Sequence, residues 1–416
     1  MNPPSEYQAY VDDEGRLVFP LELAARYGLK PGARIRVDDG ANGLRLRSPV
    51  THLAKVYVEA TNRCNLECLT CIRNVWNEPL GQMDMAIFAR IIDGLRVFLP
   101  PPSIFFGGFG EPLAHPNIVE MVTRAKALGG RVELVTNGTL LTREMSRHLI
   151  AAGLDMLWIS LDGATPESYS DVRLGAALPE VLANLKAFRD ARGPDPYVAT
   201  PRIGIAFVAM RRNIADLPSV LRLGERLGAT RFLVTNVLPY TKEMCQEVLH
   251  PHVLTNLVYS TSRYRLELPK IDVSQITRSS LYEVMRSGLT PSLAGGNLAE
   301  ANDRCPFIER GATAIAWDGS LSPCLPLLHS HVSYLHEQER ASRRYVVGKV
   351  TERDLYDLWD APEYVAFRER VQEFDFSPCT ACGSCNLSEA NEEDCYGNRF
   401  PTCGGCLWAQ GLIQCP

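Results

Sequence analysis

Thr61-Asn-Arg-Cys-Asn-Leu-Glu-Cys-Leu-Thr-Cys-Ile72 places Cys64, Cys68 and Cys71 in a C-x3-C-x2-C run, directly after an apolar segment, Val56 to Ala60, that reads as a strand. Three thiolates so close together supply three corners of an iron-sulfur cube. A cluster held by four cysteines shuttles electrons, whereas one held by three leaves an iron open to a small molecule and can do chemistry on it. Zinc is the competing occupant of any such cysteine cluster.

The rest of the chain narrows the choice. Its 416 residues predict two or three domains, and 46% hydrophobic with 22% charged residues reads as globular. A net charge of -5 argues against broad nucleic-acid or anionic-membrane binding. No apolar run reaches membrane-spanning length, and Met1-Asn-Pro-Pro-Ser-Glu6 lacks the basic and apolar parts of a signal peptide, so the expected location is cytoplasmic. In that compartment the 13 cysteines predict metal or catalytic roles rather than disulfides. Three lie at 64 to 71, Cys245 stands alone and reads as a buried thiol, and nine fall between 305 and 415.

From 54 to about 238, apolar runs at Val56 to Ala60, Ser103 to Phe106, Arg131 to Thr136, Asp155 to Leu161, Ile203 to Met210 and Arg231 to Val237 alternate with helical spacing, as in Ile87-x3-Ile91-x3-Leu95. Six βα units predict a parallel α/β sheet that right-handed crossovers curl into a partial TIM-type barrel, with its site at the carboxyl ends of the strands. The expected division is a head at 1–50, this core at 51–240, a connecting segment at 241–300 and a cysteine-rich tail at 301–416.

The cysteine loop resembles that of the radical S-adenosylmethionine (radical SAM) enzymes. The resemblance implies a (β/α)6 barrel and a 4Fe-4S cluster whose open iron is chelated by S-adenosylmethionine, with reduction releasing a 5′-deoxyadenosyl radical. Further segments follow strands in the order that family has. Phe105-Phe-Gly-Gly-Phe-Gly-Glu-Pro-Leu113 supplies Gly107, Gly108, Gly110 and Glu111, a glycine-rich stretch that contacts the methionine ammonium in the family. Leu134-Val-Thr-Asn-Gly-Thr139 and Trp158-Ile-Ser-Leu-Asp-Gly163 bring Asn137 and Ser160 to the barrel mouth, although Asn-Gly and Asp-Gly are also ordinary turn formers. The resemblance implies a methionine-carboxylate partner in Arg173 and a ribose or adenine neighbour in Asn213. Thr70 stands where many relatives carry an adenine-contacting aromatic.

In the tail, C-x13-G-x4-C from Cys305 through Gly319 to Cys324 resembles the opening of the SPASM domain, an auxiliary-cluster module. Cys379, Cys382, Cys385, Cys395, Cys403, Cys406 and Cys415 follow at spacings that depart from its usual end. Nine thiols suffice for one auxiliary cluster, or for two with one to spare, and zinc knuckles are the alternative for the paired C-x2-C units. Which cysteine serves which cluster is open at this stage.

The head, Tyr10-Val-Asp-Asp-Glu-Gly-Arg-Leu-Val-Phe-Pro20 through Lys30-Pro-Gly-Ala-Arg-Ile-Arg-Val37, has turn signals at Glu14-Gly15 and Pro31-Gly32. It resembles the swapped-hairpin domain of AbrB-type regulators, which implies a homodimer. Residues 10–48 hold seven basic residues against six acids, too even a balance for a DNA-binding face, so docking or dimerisation is expected.

The three parts together resemble the radical SAM maturases associated with tungsten-cofactor oxidoreductases. That implies a protein, peptide or cofactor-precursor client, such as a tungsten oxidoreductase, and an electron donor such as ferredoxin or flavodoxin. Two alternatives stand beside it: a peptide cross-linking or thioether-forming enzyme unrelated to tungsten, and an iron-sulfur redox sensor binding DNA through its head.

Overall fold

The computed structural model describes residues 7–40, 43–193, 195–250, 271–286, 292–293, 304–335, 337–377, 379–380 and 385–416. Most of the expected connecting segment lies outside them, as does Cys382.

Two antiparallel hairpins and a short helix make the head. β1 (Tyr10–Val11) pairs with β2 (Leu17–Val18), α1 spans Leu21–Arg26, and β3 (Val37–Gly40) pairs with β4 (Gly43–Leu46). Both expected turns are present, with Gly15 at φ 78° and Gly32 at φ 81°, a region that side chains beyond glycine rarely adopt.

The six expected core strands follow in sequence order: β5 (Lys55–Val58), β6 (Ser103–Phe106), β7 (Val132–Thr136), β8 (Met156–Ser160), β9 (Arg202–Ala209) and β10 (Ala229–Asn236). Each pairs in parallel with the next. The crossovers are α2 (Met85–Leu95), α3 (Ile118–Lys126), α4 (Arg143–Ala151), α5 (Pro166–Val172) with α6 (Leu178–Arg192), and α7 (Leu217–Arg226). After β10 come α8 (Arg278–Arg286) and β11 (Ser292–Leu293), parallel to β10. The strands are apolar on both faces because helices cover one side and the barrel interior the other. Phe88, Ile91, Ile92 and Leu95 of α2 are buried, and the Asp84 carboxylate starts that helix by accepting from Ala86 N.

Beyond β5 the sheet continues into the cysteine-rich part. α9 (Pro306–Glu309) leads into β12 (Ala312–Ile315), which pairs in parallel with β5 and antiparallel with β13 (Ser320–Ser322). β14 (His331–Leu335) and β15 (Gln338–Ser342) form a separate hairpin, and β16 (Gly348–Lys349) returns to β13, completing a ten-stranded sheet. The tail is therefore built onto the barrel's first strand. Residues 412–416 bridge β5 and β10, since Lys55 Nζ and Tyr57 OH donate to Pro416 O at 2.8 and 2.9 Å while Asn236 Nδ2 donates to Leu412 O at 2.8 Å.

α10 (Leu355–Trp359) and α11 (Pro362–Glu373) close the tail. Arg368 is buried between the rings of Trp359 and Tyr364, 3.8 and 4.1 Å from their centroids, and its Nε donates to Val50 O. Arg47 pairs with both Asp38 and Glu309 at 2.6 Å, and Gln372 Nε2 donates to Ser48 O, so the second hairpin is fastened to the tail. Among the described residues no helix is long and apolar enough to cross a membrane.

A three-cysteine loop at the barrel mouth

β5 ends at Val58, and the chain turns across the carboxyl ends of the strands into the cysteine loop. Side chains hold that loop from several directions. Thr61 Oγ1 donates to Gly81 O at 2.6 Å, Asn74 Nδ2 donates to Cys68 O at 3.0 Å, and Tyr240 OH donates to Leu69 O. Leu69 N donates to Val172 O at 2.8 Å, fastening the loop to the end of α5.

Cys68 is buried and Cys64 and Cys71 are half-buried. Burial pushes the Cys68 and Cys71 thiols above their ordinary pKa, and neighbouring thiolates of the same loop add to the rise. Positive groups oppose it: Arg173 Nη1 lies 3.7 Å from Cys68 Sγ, and the Arg73 charge faces Cys71. Asn137 Nδ2 approaches Cys64 Sγ at 3.8 Å. Cys68 and Cys71, whose ionisation burial and neighbouring thiols oppose, stand with Cys64 as a donor set that a cationic iron-sulfur cluster stabilises, so the residues fit such a group. Among the described residues no three Cys, His, Asp or Glu side chains close on the point that a single metal ion would fill.

The glycine-rich segment docks on this loop. A Cβ on Gly110 would sit 2.1 Å from Thr61 O and 2.6 Å from Arg63 O, and Glu111 N donates to Arg63 O at 2.8 Å. One on Gly107 would meet the Phe105 ring and Val135, and one on Gly108 would meet Glu59. Only glycine lets the two loops approach so closely. Glu111 is buried and its carboxylate is spoken for: Oε1 accepts from Thr136 Oγ1 and Leu113 N, and Oε2 from Asn137 N at 2.7 Å. Burial pushes that carboxyl up against the lowering effect of those donors. The acid thus links the ends of β6 and β7.

Replacing Gly110 by alanine forces the two loops apart. The expected cost is about 1–3 kcal/mol of stability, together with loss of iron from the three-cysteine site. Denaturant melts and iron content of the reconstituted variant check both.

Arg173 and Asn213 are positioned differently from the ligand partners that the sequence suggested. Arg173 Nε and Nη2 pair with Asp162 Oδ2 at 2.7 and 2.6 Å, so the guanidinium fork is occupied by a protein carboxylate. Burial opposes the charge, but Asp162 outweighs it and holds the guanidinium pKa above its usual value. Asn213 spends its amide on backbone: Oδ1 accepts from Met210 N, and Nδ2 donates to Asp162 O and Val208 O. It braces the ends of β8 and β9. Ser160, half-buried at the end of β8, shares the face of Trp158, whose indole donates to Glu133.

A family profile described as the radical SAM superfamily matches residues 58–212, and one described as an iron-sulfur cluster-binding domain, SPASM, matches residues 305–386. The chain is 33% identical over 368 residues to the tungsten-containing aldehyde ferredoxin oxidoreductase cofactor-modifying protein of Pyrococcus furiosus, covering 87% of this chain and 96% of that one. The chain belongs to the radical SAM superfamily. It is an enzyme of the SPASM-bearing maturase type, with iron-sulfur and S-adenosylmethionine as its cofactors. Mycofactocin maturase MftC of Mycobacterium tuberculosis is 26% identical over 352 residues, 83% of this chain and 78% of the relative. The structure of Streptococcus suis SuiB bound to S-adenosylmethionine superposes with a TM-score of 0.55 at 18% identity, over 83% of this chain and 73% of that chain, and so shares the fold.

The tail of this radical SAM enzyme sorts its cysteines in a way that spacing along the chain conceals. Cys305, Cys324, Cys403 and Cys406 come together: burial pushes the first up to about 12, and within the group each of Cys305, Cys324 and Cys403 feels the charge of others. Burial also raises Cys406. Cys379 and Cys395 form a second neighbourhood, where burial and Cys395 raise the Cys379 thiol. Cys385 is exposed. Cys415 accepts from Trp408 Nε1 at 3.4 Å, faces Lys55, and is raised by burial and by the charge of Cys406. Cys245 is half-buried rather than buried, beside Thr241 O.

Sequence reasoning passed over four residues here. Arg73 carries a sheltered Nε and Nη1 without a hydrogen-bond partner beside the cysteine loop, and Tyr240 clamps that loop from beyond β10. Glu59 and His329 form a buried pair at 2.7 Å. An acid just past an apolar strand was the one legible signal among them, because active sites in such folds sit at those strand ends.

Proposed function

We propose that this enzyme cleaves S-adenosylmethionine reductively at the loop of Cys64, Cys68 and Cys71, and that it modifies a protein, peptide or cofactor precursor serving a tungsten-containing oxidoreductase. The observation that carries the reading is the three-thiol loop joined by backbone bonds to the glycine-rich loop at the carboxyl ends of parallel strands. Cys64, Cys68 and Cys71 would hold a 4Fe-4S cluster, which when bound would supply the electron for reductive cleavage of S-adenosylmethionine.

The chain's own residues position that nucleotide. Backbone at Gly107 and Gly108 approaches the methionine ammonium, Glu111 and Asn137 hold the two loops in register, and the Ser160 hydroxyl faces the ribose. Arg173, anchored by Asp162, keeps positive charge beside the Cys68 sulfur, and Asn213 keeps the strand ends in place. The Arg73 guanidinium, whose sheltered Nε and Nη1 make no hydrogen bond, is the partner for the methionine carboxylate. Cys305, Cys324, Cys403 and Cys406 hold one auxiliary cluster. Cys379, Cys382, Cys385 and Cys395 are the ligands of a second, with Cys415 as the ninth thiol. Ferredoxin or flavodoxin is the electron donor, and the head, as an AbrB-like unit, serves docking or homodimerisation.

For the client, the support is similarity that spans 96% of a relative named for modifying the cofactor of a tungsten oxidoreductase. Peptide modification is the second reading, favoured by similarity to the PqqA peptide cyclase of Gluconobacter oxydans and by the fold shared with SuiB, one structure of which holds a precursor peptide. Anaerobic reconstitution with the candidate oxidoreductase or its precursor, followed by mass measurement, separates the two. A defined mass change on the oxidoreductase or its cofactor supports the tungsten reading. A change confined to a short precursor peptide overturns it.

A further inference from the structure

A buried histidine–glutamate hydrogen bond joins the tail to the barrel. His329, between the short 3-10 turn Leu325–Leu327 and β14, is 2% exposed, and its Nε2 lies 2.7 Å from Oε2 of Glu59, itself 1% exposed. The other oxygen of Glu59 accepts from Phe109 N at 3.2 Å, in the middle of the glycine-rich loop. The contact below that loop is tight, since a Cβ on Gly108 would fall 2.8 Å from Glu59 Oε1. Trp76 and Phe109 meet the imidazole edge-on, with centroids 4.6 and 5.8 Å away, and fix its plane. On the far side, His329 Nδ1 makes no hydrogen bond and faces Glu78 Oε2 at 3.7 Å, while Glu78 Oε1 accepts from Ser330 N.

We propose that His329 acts through Glu59 as a latch by which the tail sets the conformation of the glycine-rich loop, and hence the affinity of the site for S-adenosylmethionine. His329 and Glu59 are positioning residues in this scheme. A carboxylate buried among apolar neighbours keeps a fixed orientation only while its donors are present. With the imidazole removed, Glu59 is left with the Phe109 amide alone, and turning toward any other donor releases that amide. The barrel supplies the ligand loop and the tail supplies the clamp, so docking events on the tail have a direct path to nucleotide binding. The inference rests on the assignment of the glycine-rich loop to the nucleotide.

Two measurements on the full chain test it. In cofactor-free His329→Ala, amide exchange at residues 107–110 is expected to rise about tenfold, with β6 amides unchanged as a control on folding. In the reconstituted protein, the dissociation constant for S-adenosylmethionine is expected to rise about tenfold. His329→Gln, whose side-chain amide can donate in place of Nε2, restores both. Where the alanine variant loosens β6 as well, Glu59→Gln keeps the volume, weakens the pair and is expected to move the same amides. Unchanged exchange at 107–110 overturns the latch. Faster exchange with unaltered nucleotide affinity overturns the control of binding by the tail, and locates the failure in the assignment of the loop rather than in the pair.

Discussion

Replacing Cys68 by alanine abolishes formation of 5′-deoxyadenosine from S-adenosylmethionine while the barrel and the tail clusters persist. Cys68 is the most buried thiol of its loop, packs against the core, and has the Arg173 guanidinium 3.7 Å from its sulfur. Two thiols are too few to hold a cube that needs a free corner as well. The loop backbone depends on Thr61, Asn74 and Tyr240 rather than on the Cys68 side chain, so folding survives. Chromatographic assay of 5′-deoxyadenosine, iron per chain and thermal unfolding read the three parts separately. The expected pattern is no product, a loss of about four irons and a near-native melt. Product formed at the parental rate would show that the reaction runs elsewhere.

Arg173→Ala is expected to destabilise the fold by about 3–5 kcal/mol, the usual cost of leaving one member of a buried ion pair uncompensated. Asp162 is wholly buried, and two guanidinium nitrogens reach its Oδ2. Its Oδ1 accepts from Val208 N, so loss of the pair also loosens the junction of β8 with β9. Urea melts give the magnitude. Adding Asp162→Asn removes the stranded charge and restores part of the loss, the non-additivity expected of contacting residues. A loss under about 1 kcal/mol would show that the pair behaves like an exposed one.

The six core strands were legible because each is a short apolar run between turn formers, and all six appear within a residue or two of the expected bounds. β12 was not, since Ala312-Thr-Ala-Ile315 is too short to announce itself and pairs with a strand some 250 residues earlier. α11 was hidden for another reason. Its buried Arg368, sandwiched between two rings, breaks the apolar period that marks a helix face.

At the site, sequence showed residue type and order but not direction. Glu111 and Asn213 follow strand ends and Arg173 ends α5, yet their polar atoms point largely into the protein. A donor's target is set by whichever partner the fold brings nearest, which no spacing rule contains. The same holds for the tail thiols: Cys324 feels the charge of Cys305, Cys403 and Cys406 across the intervening Cys379 to Cys395 stretch. Glu59 and His329 come from segments 270 residues apart, and only folding joins them.

We propose that three thiols at the barrel mouth leave a metal corner for the nucleotide. Electron-nuclear double resonance on the reduced protein tests it most directly, with S-adenosylmethionine carrying nitrogen-15 in its amino group. Coupling of the label to the paramagnetic cluster, absent in Cys68→Ala, is the predicted result. A reduced cluster showing no coupling to bound label, or one carrying a fourth protein ligand, would contradict the account.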